Sequence, residues 1–482
     1  MTRWKTLRRW IAVGVLVLVG LLGIALAVRS WMLWRDQIRM RRFLSGDLRE
    51  LWAQSMTHPD LREGRWKKGS PDLAWEVPDG VPADLVERLE SIGYAGGSIA
   101  ATGVEGVTVH DRTRVRDGLN LLTSGHRAEA ELMDMDGRIL HTWSKDFWEI
   151  WPKYPFRRNP NTKYWRKVHL FENGDLLAIY EGLGMVKLDR QSRVLWKSPC
   201  RAHHDLEVLA DGRIVTLTRR VTRDPFGQGP GLRLILEDFI TILDPGGRLL
   251  KEVSLLDCFK RSPVYLTMLR QYLESHPTRK DPFHTNTIRV LDGRLADQVP
   301  YFRKGRVLIS LRFLNLVAVV DLDERRIVWS RLGSFKGQHD TQILENGHLL
   351  LFDNLGLGES SRVLEVDPAT LDVLWSYEGT ADHPFFSETC GTVQRLPDND
   401  TLITESDPGR AFEVTPDGTI VWEYRSPHRS GDHRQFVATL FELERLPPGF
   451  SAAWIAPEHA AVPGPDRSGS DAGSAWTPQP ER

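Results

Sequence analysis

The chain has little cysteine and almost no net charge, and each shortage excludes a class of protein. Only three cysteines occur in 482 residues, at positions 200, 258 and 390. They are far apart, so they provide neither the CxxC spacing of a metal site nor a recognisable disulfide framework. The formal net charge of −1 creates no global field that would attract nucleic acid, and the sequence contains no recognisable nucleic-acid-binding module. We therefore expect no nucleic-acid partner.

Residues 11–28 form an uncharged apolar run near the N-terminus. At 18 residues it is just long enough to cross a bilayer, and tryptophans at positions 10, 31 and 34 flank it as interfacial anchors would. A signal peptide cleaved after Ala27 is the alternative, because Ala25-Leu26-Ala27 fits a small-residue cleavage site. The length of the run and the Trp/Arg-rich stretch that follows favour a membrane anchor. Arginines on both sides leave the orientation undecided.

A repeat of four short strands covers most of the chain. Each copy begins at a polar residue, passes through a turn into an apolar strand, and ends near a tryptophan. Six copies occur, at 104–143, 164–197, 203–254, 284–330, 338–376 and 386–424. One four-stranded sheet leaves its faces uncovered, whereas six sheets packed radially cover each other's faces. The sequence therefore predicts an all-β fold, a six-bladed β-propeller with an N-terminal transmembrane helix and a short helical linker.

The expected domain organisation has four parts. They are a basic segment with the membrane span (1–28), a juxtamembrane linker with one short helix after Pro82 (29–103), the catalytic propeller (104–447) and a disordered tail (448–482). Whether 435–447 adds a strand that closes the ring is left open. The repeat-end tryptophans are expected to pack between blades; they are Trp143, Trp196, Trp329, Trp375 and Trp422.

Two insertions interrupt copy four of the repeat. Residues 257–283 precede its first strand and are predicted to be partly helical. A second insertion, roughly 292–304, lengthens its first hairpin. Long insertions in a regular array tend to be functional loops on one face.

His-Asp pairs recur at one position of the repeat. His110, His204 and His339 each stand eight residues before the glycine of an Asp-Gly or Asn-Gly turn. A two-residue turn would place His204 opposite Arg219 and His339 opposite Asn354. Because the same register repeats around a ring, we expect these imidazoles to converge on one mouth of the channel.

His284 and Arg312 belong to the same mouth in this register. His284 opens the first strand of copy four, and Arg312 closes the second. Three neutral imidazoles could bind zinc, but the guanidinium would repel a divalent cation and favours a tetrahedral oxyanion such as sulfate or phosphate. We therefore expect no metal at this site.

Not every His-Asp pair need be functional. A histidine beside an aspartate at a strand start is often a hydrogen-bonded structural corner, and we prefer that interpretation for His203. It applies to His110 as well, although His110 stays a candidate for substrate binding together with Arg219 and Asn354. The aspartates of the pairs are open to a structural role, because successive strand residues point to opposite faces.

Copies three to six resemble bacterial arylsulfate sulfotransferases. The matching segments are "HHDLEVLADG", "DPFHTNTI", the strand end Ser310-Leu311-Arg312, "GQHDTQILENGHLLLFDN" and "TVQRLPDNDTLI", and the resemblance covers roughly 104–427. It implies a six-bladed propeller that transfers a sulfuryl group from an aryl sulfate donor to a phenol acceptor without a nucleotide donor or other cofactor. It also implies a location in the inner membrane with the propeller facing the periplasm.

The resemblance assigns roles to four residues. His339, in the "QHD" motif, is the implied nucleophile that forms a sulfohistidine, and His204, His284 and Arg312 are the implied supporting residues. From the residues alone, the general acid is either His204 or His284, and Asp340 is a candidate for orienting His339. The best-known family members carry an N-terminal β-sandwich and a closely spaced disulfide, and this sequence has neither pattern.

Two other functions are compatible with a propeller of this kind. The first is a non-catalytic, membrane-tethered module that binds an anionic or sulfated ligand through the same histidines and arginine. A quinone-dependent dehydrogenase is the second, but the sequence has neither an adjacent cysteine pair nor an acidic metal cluster at the mouth. His339 separates the first alternative from a transferase, since a binding site does not need a nucleophilic imidazole.

Overall fold

The computed structural model describes residues 103–455, except 155–158, 227–233, 277–278, 334, 359, 371 and 431–435. It also describes two short paired strands, β1 (Ser70–Pro71) and β2 (Gly93–Tyr94). All of these residues belong to one compact unit, 63–482. The predicted membrane span and the predicted helix after Pro82 lie outside the described residues. None of the described helices combines the length and the apolar character that a bilayer span requires.

The remaining strands are short, and their bounds are given in chain order. The first are β3 (Gly106–His110), β4 (Asn120–Ser124), β5 (Glu129–Met133), β6 (Ile139–Ser144), β7 (Lys167–Leu170), β8 (Leu176–Tyr180), β9 (Gly184–Leu188), β10 (Val194–Ser198) and β11 (Ala202–Val208). Next come β12 (Ile214–Arg223), β13 (Leu234–Leu243), β14 (Leu249–Ser254), β15 (Thr285–Val290), β16 (Val307–Leu311), β17 (Leu316–Asp321), β18 (Arg326–Leu332), β19 (His339–Ile343) and β20 (Leu349–Asp353). The last are β21 (Arg362–Val366), β22 (Val373–Tyr377), β23 (Thr392–Arg395), β24 (Thr401–Glu405), β25 (Arg410–Val414), β26 (Ile420–Arg425), β27 (Arg429–Ser430), β28 (Phe436–Val437) and β29 (Leu440–Arg445).

Six antiparallel sheets form the blades, which confirms the predicted six-bladed propeller. Blades 2 to 5 each consist of four consecutive strands, β7–β10, β11–β14, β15–β18 and β19–β22. The second strand of each blade is apolar and largely buried, as in β8 and β20, because both of its faces pack against neighbouring blades. The first strands contact one another around the ring and therefore line the channel.

Both ends of the propeller segment contribute to its closure. The C-terminal strand β29 is the inner strand of blade 1 and pairs with β4, while β3 is a fifth, outermost strand of blade 6 and pairs with β26. The question left open for the end of the propeller is thus answered, because Leu440–Arg445 adds a strand that closes the ring. The expectation that 104–110 begins blade 1 is wrong, because β29 already occupies that inner position.

The aspartates of the His-Asp pairs tie neighbouring inner strands together. Asp205 accepts the backbone N–H of Ile288 at 3.0 Å, and Asp340 accepts that of Val393 at 2.8 Å. Arg289 lies between the two carboxylates and donates to both. These aspartates are therefore structural links between successive blades, and Asp340 and Arg289 line a channel cavity of about 280 Å³.

Trp143 and Trp422 lie between two blades, as predicted, and each also bonds to the following blade. The indole N–H of Trp143 donates to Gly174 O at 3.0 Å, and that of Trp422 donates to Met135 O at 2.9 Å. Each bond joins the outer part of one blade to a turn of the following blade. Large apolar rings with one polar atom suit this position, which is apolar except for a turn carbonyl.

The insertion before blade 4 forms two helices, as the sequence predicted. They are α2 (Leu255–Lys260) and α3 (Pro263–Ser275), and they follow α1 (Phe147–Ile150) and a 3₁₀ turn (Pro160–Thr162) in the chain. Leu269 and Leu273 of α3 are fully buried and pack the helix against blades 3 and 4. The other insertion lies between β15 and β16, also as predicted.

The predicted disordered tail begins too early at 448. Trp454 packs its ring 5.6 Å from the ring of Trp143 and 5.1 Å from that of His141. Residues 448–455 therefore belong to the fold, because Trp454 packs against an apolar surface at blade 1. Residues 456–482 lie outside the described residues.

Candidate active site

The turns of the first hairpins in blades 2, 3, 5 and 6 contain three residues rather than the predicted two. In blade 5, the N–H of Gly347 donates to Leu344 O at 3.0 Å, and the N–H of Leu344 donates to His348 O at 2.9 Å. Gly347 has a φ of 90°, which suits glycine at the end of such a turn. The extra residue shifts the pairing of the two strands by one position.

The inner strands that carry the histidines also begin with bulges. The pairing shifts between His339 and Gln342 in β19, and corresponding shifts occur in β11 and β15. Backbone in the left-handed region accompanies them, at His204 (φ 56°), His284 (φ 44°) and Asp340 (φ 45°). Such bulges re-aim side chains, and left-handed backbone at non-glycine residues costs about 1–3 kcal/mol each. His339 consequently pairs with Phe352 in the backbone, so the predicted register opposite Asn354 is wrong.

The side chains of His339 and Asn354 nevertheless meet. Nδ1 of His339 lies 2.7 Å from Oδ1 of Asn354. The amide nitrogen of Asn354 donates to two backbone carbonyls, those of Ser387 at 2.8 Å and Cys390 at 2.7 Å. With its N–H groups directed at these carbonyls, Asn354 must accept the bond from His339, so Nδ1 carries the proton. Nε2 of His339 therefore holds the lone pair.

The imidazole of His339 is held in its neutral form. Burial is the main cause that lowers its pKa well below 6.5, and the positive charges of Arg312 and Arg166 lower it further. Arg166 was not predicted from the sequence, although a signal was present. It stands eight residues before Gly174, at the repeat position that holds histidine in other copies.

His284 is oriented by a carboxylate. Its Nδ1 lies 2.6 Å from Oδ2 of Asp281, which also accepts the backbone N–H of His284 at 2.9 Å through its other oxygen. Burial raises the pKa of Asp281, and the charge of Arg219 opposes this rise. Asp281 was missed by the sequence reasoning, because its position three residues before His284 belongs to an insertion and has no counterpart in the repeat.

His204 lies beside His284, with ring centroids 4.8 Å apart in an edge-to-face arrangement. Glu181 accepts its backbone N–H at 3.0 Å, and the other oxygen of Glu181 lies 3.3 Å from Nδ1 of His204. His203 places its own Nδ1 2.9 Å from Nδ1 of His204. Arg219 donates to Glu181 at 3.2 Å, so this carboxylate serves two partners.

Arg312 connects the histidines of blades 4 and 5. Its backbone N–H donates to the carbonyl of His284 at 3.2 Å, and its Nη2 donates to the carbonyl of Glu388 at 3.0 Å. Its positive charge adds to burial in lowering the pKa of His339. Blades 3 to 5 thus bring His204, His284, Arg312 and His339 together at one end of the propeller.

Three expectations about individual side chains need correction. His110 is on the outermost strand of blade 6, where it pairs with Trp422 and its Nδ1 lies 2.9 Å from Asp136, so it is not part of this group. Asn354 is fully buried and its amide is bonded to protein groups, so it positions His339 instead of contacting substrate. Asp340 bonds to Arg289 and Val393, and it is Asn354 that orients His339.

One cluster near the site has donor atoms close enough for a metal. Glu181, His203 and His204 each offer an atom within 4.8 Å of the others, and all three are buried. The guanidinium of Arg219 bonds to Glu181 and helps to lower the pKa of His203, after burial as the larger cause. A neighbouring fixed positive charge disfavours a divalent cation and favours an anion.

The combination of fold and site defines a class of protein. A propeller whose channel mouth holds an oriented neutral imidazole, two further imidazoles and buried guanidinium groups suits an enzyme that acts on an oxyanion group. The family comparison agrees: the model described as Arylsulfotransferase (ASST) matches residues 167–427. The chain belongs to the arylsulfotransferase family and is, in general terms, a sulfotransferase.

Comparison with solved structures finds similar chains at low sequence identity. The chain is similar to a protein of unknown function from Bacteroides caccae (12% identity, 68% of this chain and 98% of that one, TM-score 0.43). It is also similar to a streptogramin B lyase (12% identity, 73% and 96%, TM-score 0.38) and to the WD40 β-propeller domain of Doa1 (13% identity, 72% and 94%, TM-score 0.37). A comparison with curated proteins finds no match. The six-bladed assignment rests on the strand pairing of this chain itself.

Proposed function

We propose that this protein transfers a sulfuryl group from an aryl sulfate ester to a phenolic acceptor, without a nucleotide donor, through a sulfohistidine at His339. The observation that carries the proposal is the bonding of His339. Asn354 accepts from Nδ1, which leaves the lone pair on Nε2, and burial beside Arg312 keeps the ring neutral. A neutral, oriented imidazole nitrogen is the form that a nucleophile requires.

The first half-reaction forms the covalent intermediate. The lone pair of His339 Nε2 attacks sulfur, the bond between sulfur and the ester oxygen breaks, and that oxygen leaves with the bonding electrons. His284 is the proposed acid that protonates the departing phenolate, because it lies beside His204 and its Nδ1 is bonded to Asp281, a carboxylate that orients the imidazole for proton transfer. The products are a phenol and sulfated His339.

The second half-reaction is the reverse of the first with a different phenol. His284 accepts the proton of the incoming hydroxyl, the phenolic oxygen attacks sulfur, and the nitrogen–sulfur bond breaks. The electron pair of that bond returns to Nε2 of His339. Arg312 and His204 are proposed to hold the sulfuryl oxygens in both steps, since charge on these oxygens changes as sulfur passes between its two partners.

The test compares substitutions at His339 with one at a distant histidine. His339→Ala and His339→Asn should both lose transfer from 4-nitrophenyl sulfate, since no other group replaces the attacking nitrogen. Intact-mass analysis after brief exposure to that donor should show one added sulfuryl group on the parent and none on either variant. His110→Asn is the control and should behave like the parent, because His110 lies on the outer strand of blade 6.

Arg312→Ala should weaken the reaction without removing the intermediate. Loss of one donor to a developing charge costs about 2.7–4 kcal/mol, which corresponds to about two to three decades in rate. The variant should therefore become sulfated slowly.

If His339→Ala turns over at the parent rate while His284→Ala does not, the nucleophile has been assigned to the wrong histidine. If the parent transfers from none of the aryl sulfates, the non-catalytic binding module becomes the better explanation.

We further propose that residues 11–28 anchor the protein in the inner membrane with the propeller on the periplasmic side. The uncharged run and its flanking tryptophans support the anchor, and the resemblance alone supports the compartment. Membrane fractions should contain the protein with its N-terminal segment intact. Recovery in the soluble fraction with Val28 as the first residue would show a cleaved signal peptide.

A further inference from the structure

A row of aromatic rings runs from the surface to the histidines of the site. The ring of Tyr272, on α3, stacks on exposed His276 at 4.4 Å and lies nearly parallel to Phe313 at 6.4 Å. Phe313 in turn lies 4.7 Å from the ring of His284, which is 4.8 Å from that of His204. The helical insertion of blade 4 therefore extends the site outward with aromatic surface.

Two guanidinium groups lie against the central ring of this row. Cζ of Arg279 stands 4.0 Å from the centroid of Phe313, and Cζ of Arg312 stands 5.1 Å from it. Arg312 is already bonded to the propeller through Glu388. Arg279, at the end of the same insertion, forms no ion pair within the part of the chain that the structure describes, whereas Arg270 of α3 pairs with Glu274 at 2.8 Å.

Packing of the helix accounts for only part of the Tyr272 ring, which touches the same apolar core as the buried leucines of α3. Leu269 and Leu273, both fully buried, already attach α3 to the blades. Tyr272, Phe313 and Arg279 remain only half-buried beside the site. An accessible aromatic surface with a cation on it matches the chemistry of a substituted phenol, which has a flat ring and, in many cases, an acidic substituent.

We propose that Tyr272, Phe313 and Arg279 form the subsite for the aryl ring, and that Arg279 selects phenols and aryl sulfates that carry a carboxylate on the ring. This inference rests on the proposed function. With sulfur at His339 and Arg312, the ring of the substrate lies along Phe313 and its far substituent reaches Arg279. A guanidinium bonds a carboxylate in a planar, two-pronged geometry that an uncharged substituent does not exploit.

The kinetic test uses the full-length protein and two donors, 4-carboxyphenyl sulfate and 4-nitrophenyl sulfate. Arg279→Met, which keeps the aliphatic stem, should raise KM for the carboxylated donor by about 10–100-fold, as expected for loss of a charge-assisted hydrogen bond. KM for the nitro donor should change by no more than about twofold. Arg270→Met, on the same helix, should leave both values unchanged. Equal effects of Arg279→Met on both donors would overturn the proposed selectivity.

A binding test without turnover separates this inference from the proposed function. Calorimetry should show that 4-hydroxybenzoate binds the parent more tightly than phenol does, and that Arg279→Met removes the difference. Tyr272→Leu should weaken both ligands alike, with thermal melting used to check that the variant is folded. If the parent does not distinguish the two ligands, the subsite is wrong even where sulfuryl transfer occurs. If it distinguishes them yet catalyses no transfer, the subsite stands and the proposed reaction fails.

Discussion

The chemistry proposed for His339 depends on one side-chain amide. Asn354 directs its two N–H groups at the carbonyls of Ser387 and Cys390, and this leaves only its oxygen for the imidazole. The orientation of a buried amide thus decides which nitrogen of His339 carries the proton. An aspartate at position 354 would instead place a carboxylate oxygen against the two carbonyls. Both groups are acceptors, so no hydrogen bond could form between them unless the aspartate were protonated. Asparagine therefore suits this position better than its isosteric acid.

Asn354→Ala should slow the sulfation of His339 by about 10–100-fold, the usual cost of removing a partner that orients a functional histidine. The protein should stay folded, and the added sulfuryl group should still appear at long times. Rapid-quench mass analysis measures the rate. Asn346→Ala is a matched control, since Asn346 bonds to His348 and Glu365 at the far turn of the same hairpin. Equal rates in Asn354→Ala and the parent would show that the amide does not set the tautomer.

The lowered pKa of His339 predicts activity in mild acid. A neutral ring is required, and burial with the charge of Arg312 lowers its pKa well below 6.5. The acid limb of the single-turnover sulfation rate should therefore lie well below pH 6.5. Arg312→Gln removes one of the causes, so the limb should move to higher pH as the overall rate falls. If the acid limb of the rate profile lies at the same pH in Arg312→Gln and in the parent, the limb reports the titration of a group other than His339.

The same shift links protonation to stability. Below pH 6.5 the unfolded chain binds a proton at His339 that the buried imidazole does not bind. The contribution of this residue to stability is therefore fully present above pH 6.5 and is lost as the pH falls toward the lowered pKa of the folded state.

Repetition explains which site residues can be found from sequence. His204, His284 and His339 occupy one repeat position, and the same rule applied to copy two would have found Arg166. Asp281 lies in an insertion, where no other copy gives a reference. The role of Asn354 depends on a bulge and on two distant carbonyls, neither of which leaves a periodic signal.

At the scale of elements, the end of the blade at which a residue lies is easier to predict than the residue opposite it. The three-residue turn and the bulge in β19 change the partner of His339 from Asn354 to Phe352. Strand length, however, still brings the start of the first strand and the end of the second to the same end of the blade. The prediction that the histidines lie at one end of the propeller therefore holds despite the wrong register. A prediction of which residues face each other requires the correct register.

The inner strand β29 is attached to its neighbours by Arg445. Its Nη2 donates to Glu413 at 2.9 Å, and its Nε donates to Asn120 at 2.8 Å. Glu413 is fully buried, and burial raises its pKa while Arg445 opposes the rise. One guanidinium thus joins β29 to blades 1 and 6 and compensates a carboxylate inside the protein.

Arg445→Met should lower the free energy of unfolding by about 3–5 kcal/mol, because it leaves the buried Glu413 without its cation. Chemical denaturation at neutral pH measures the loss, and part of it should be recovered in mild acid, where Glu413 becomes protonated. Arg193→Met is the control, since its exposed ion pair with Asp189 is worth about 0–1 kcal/mol. Similar losses in the two variants would contradict the argument.

At the scale of the whole molecule, closure was the part of the fold that the repeat did not reveal. Five blades follow the order of the chain in their inner strands, and blade 1 takes its inner strand from residues more than 300 positions away. A local pattern identifies a strand but carries no information on a partner at that distance. The misplacement of His110 has the same origin, because β3 joins the outer edge of blade 6 once β29 fills the inner position.

Removal of the closing strand should disrupt the entire propeller. A chain ending at residue 435 lacks β29, so Leu440, Phe441 and Leu443 no longer fill buried positions in blade 1, and β4 loses its inner partner. Each such side chain contributes about 1.5–3 kcal/mol, and the sum approaches the 5–15 kcal/mol that separates folded from unfolded protein in typical domains. We expect this chain to be insoluble or to unfold without cooperativity.

A chain ending at residue 455 keeps every described contact of β29 and should melt at the temperature of the full-length protein. Cooperative melting and normal sulfuryl transfer by the shorter chain would show that blade 1 holds the ring closed without β29.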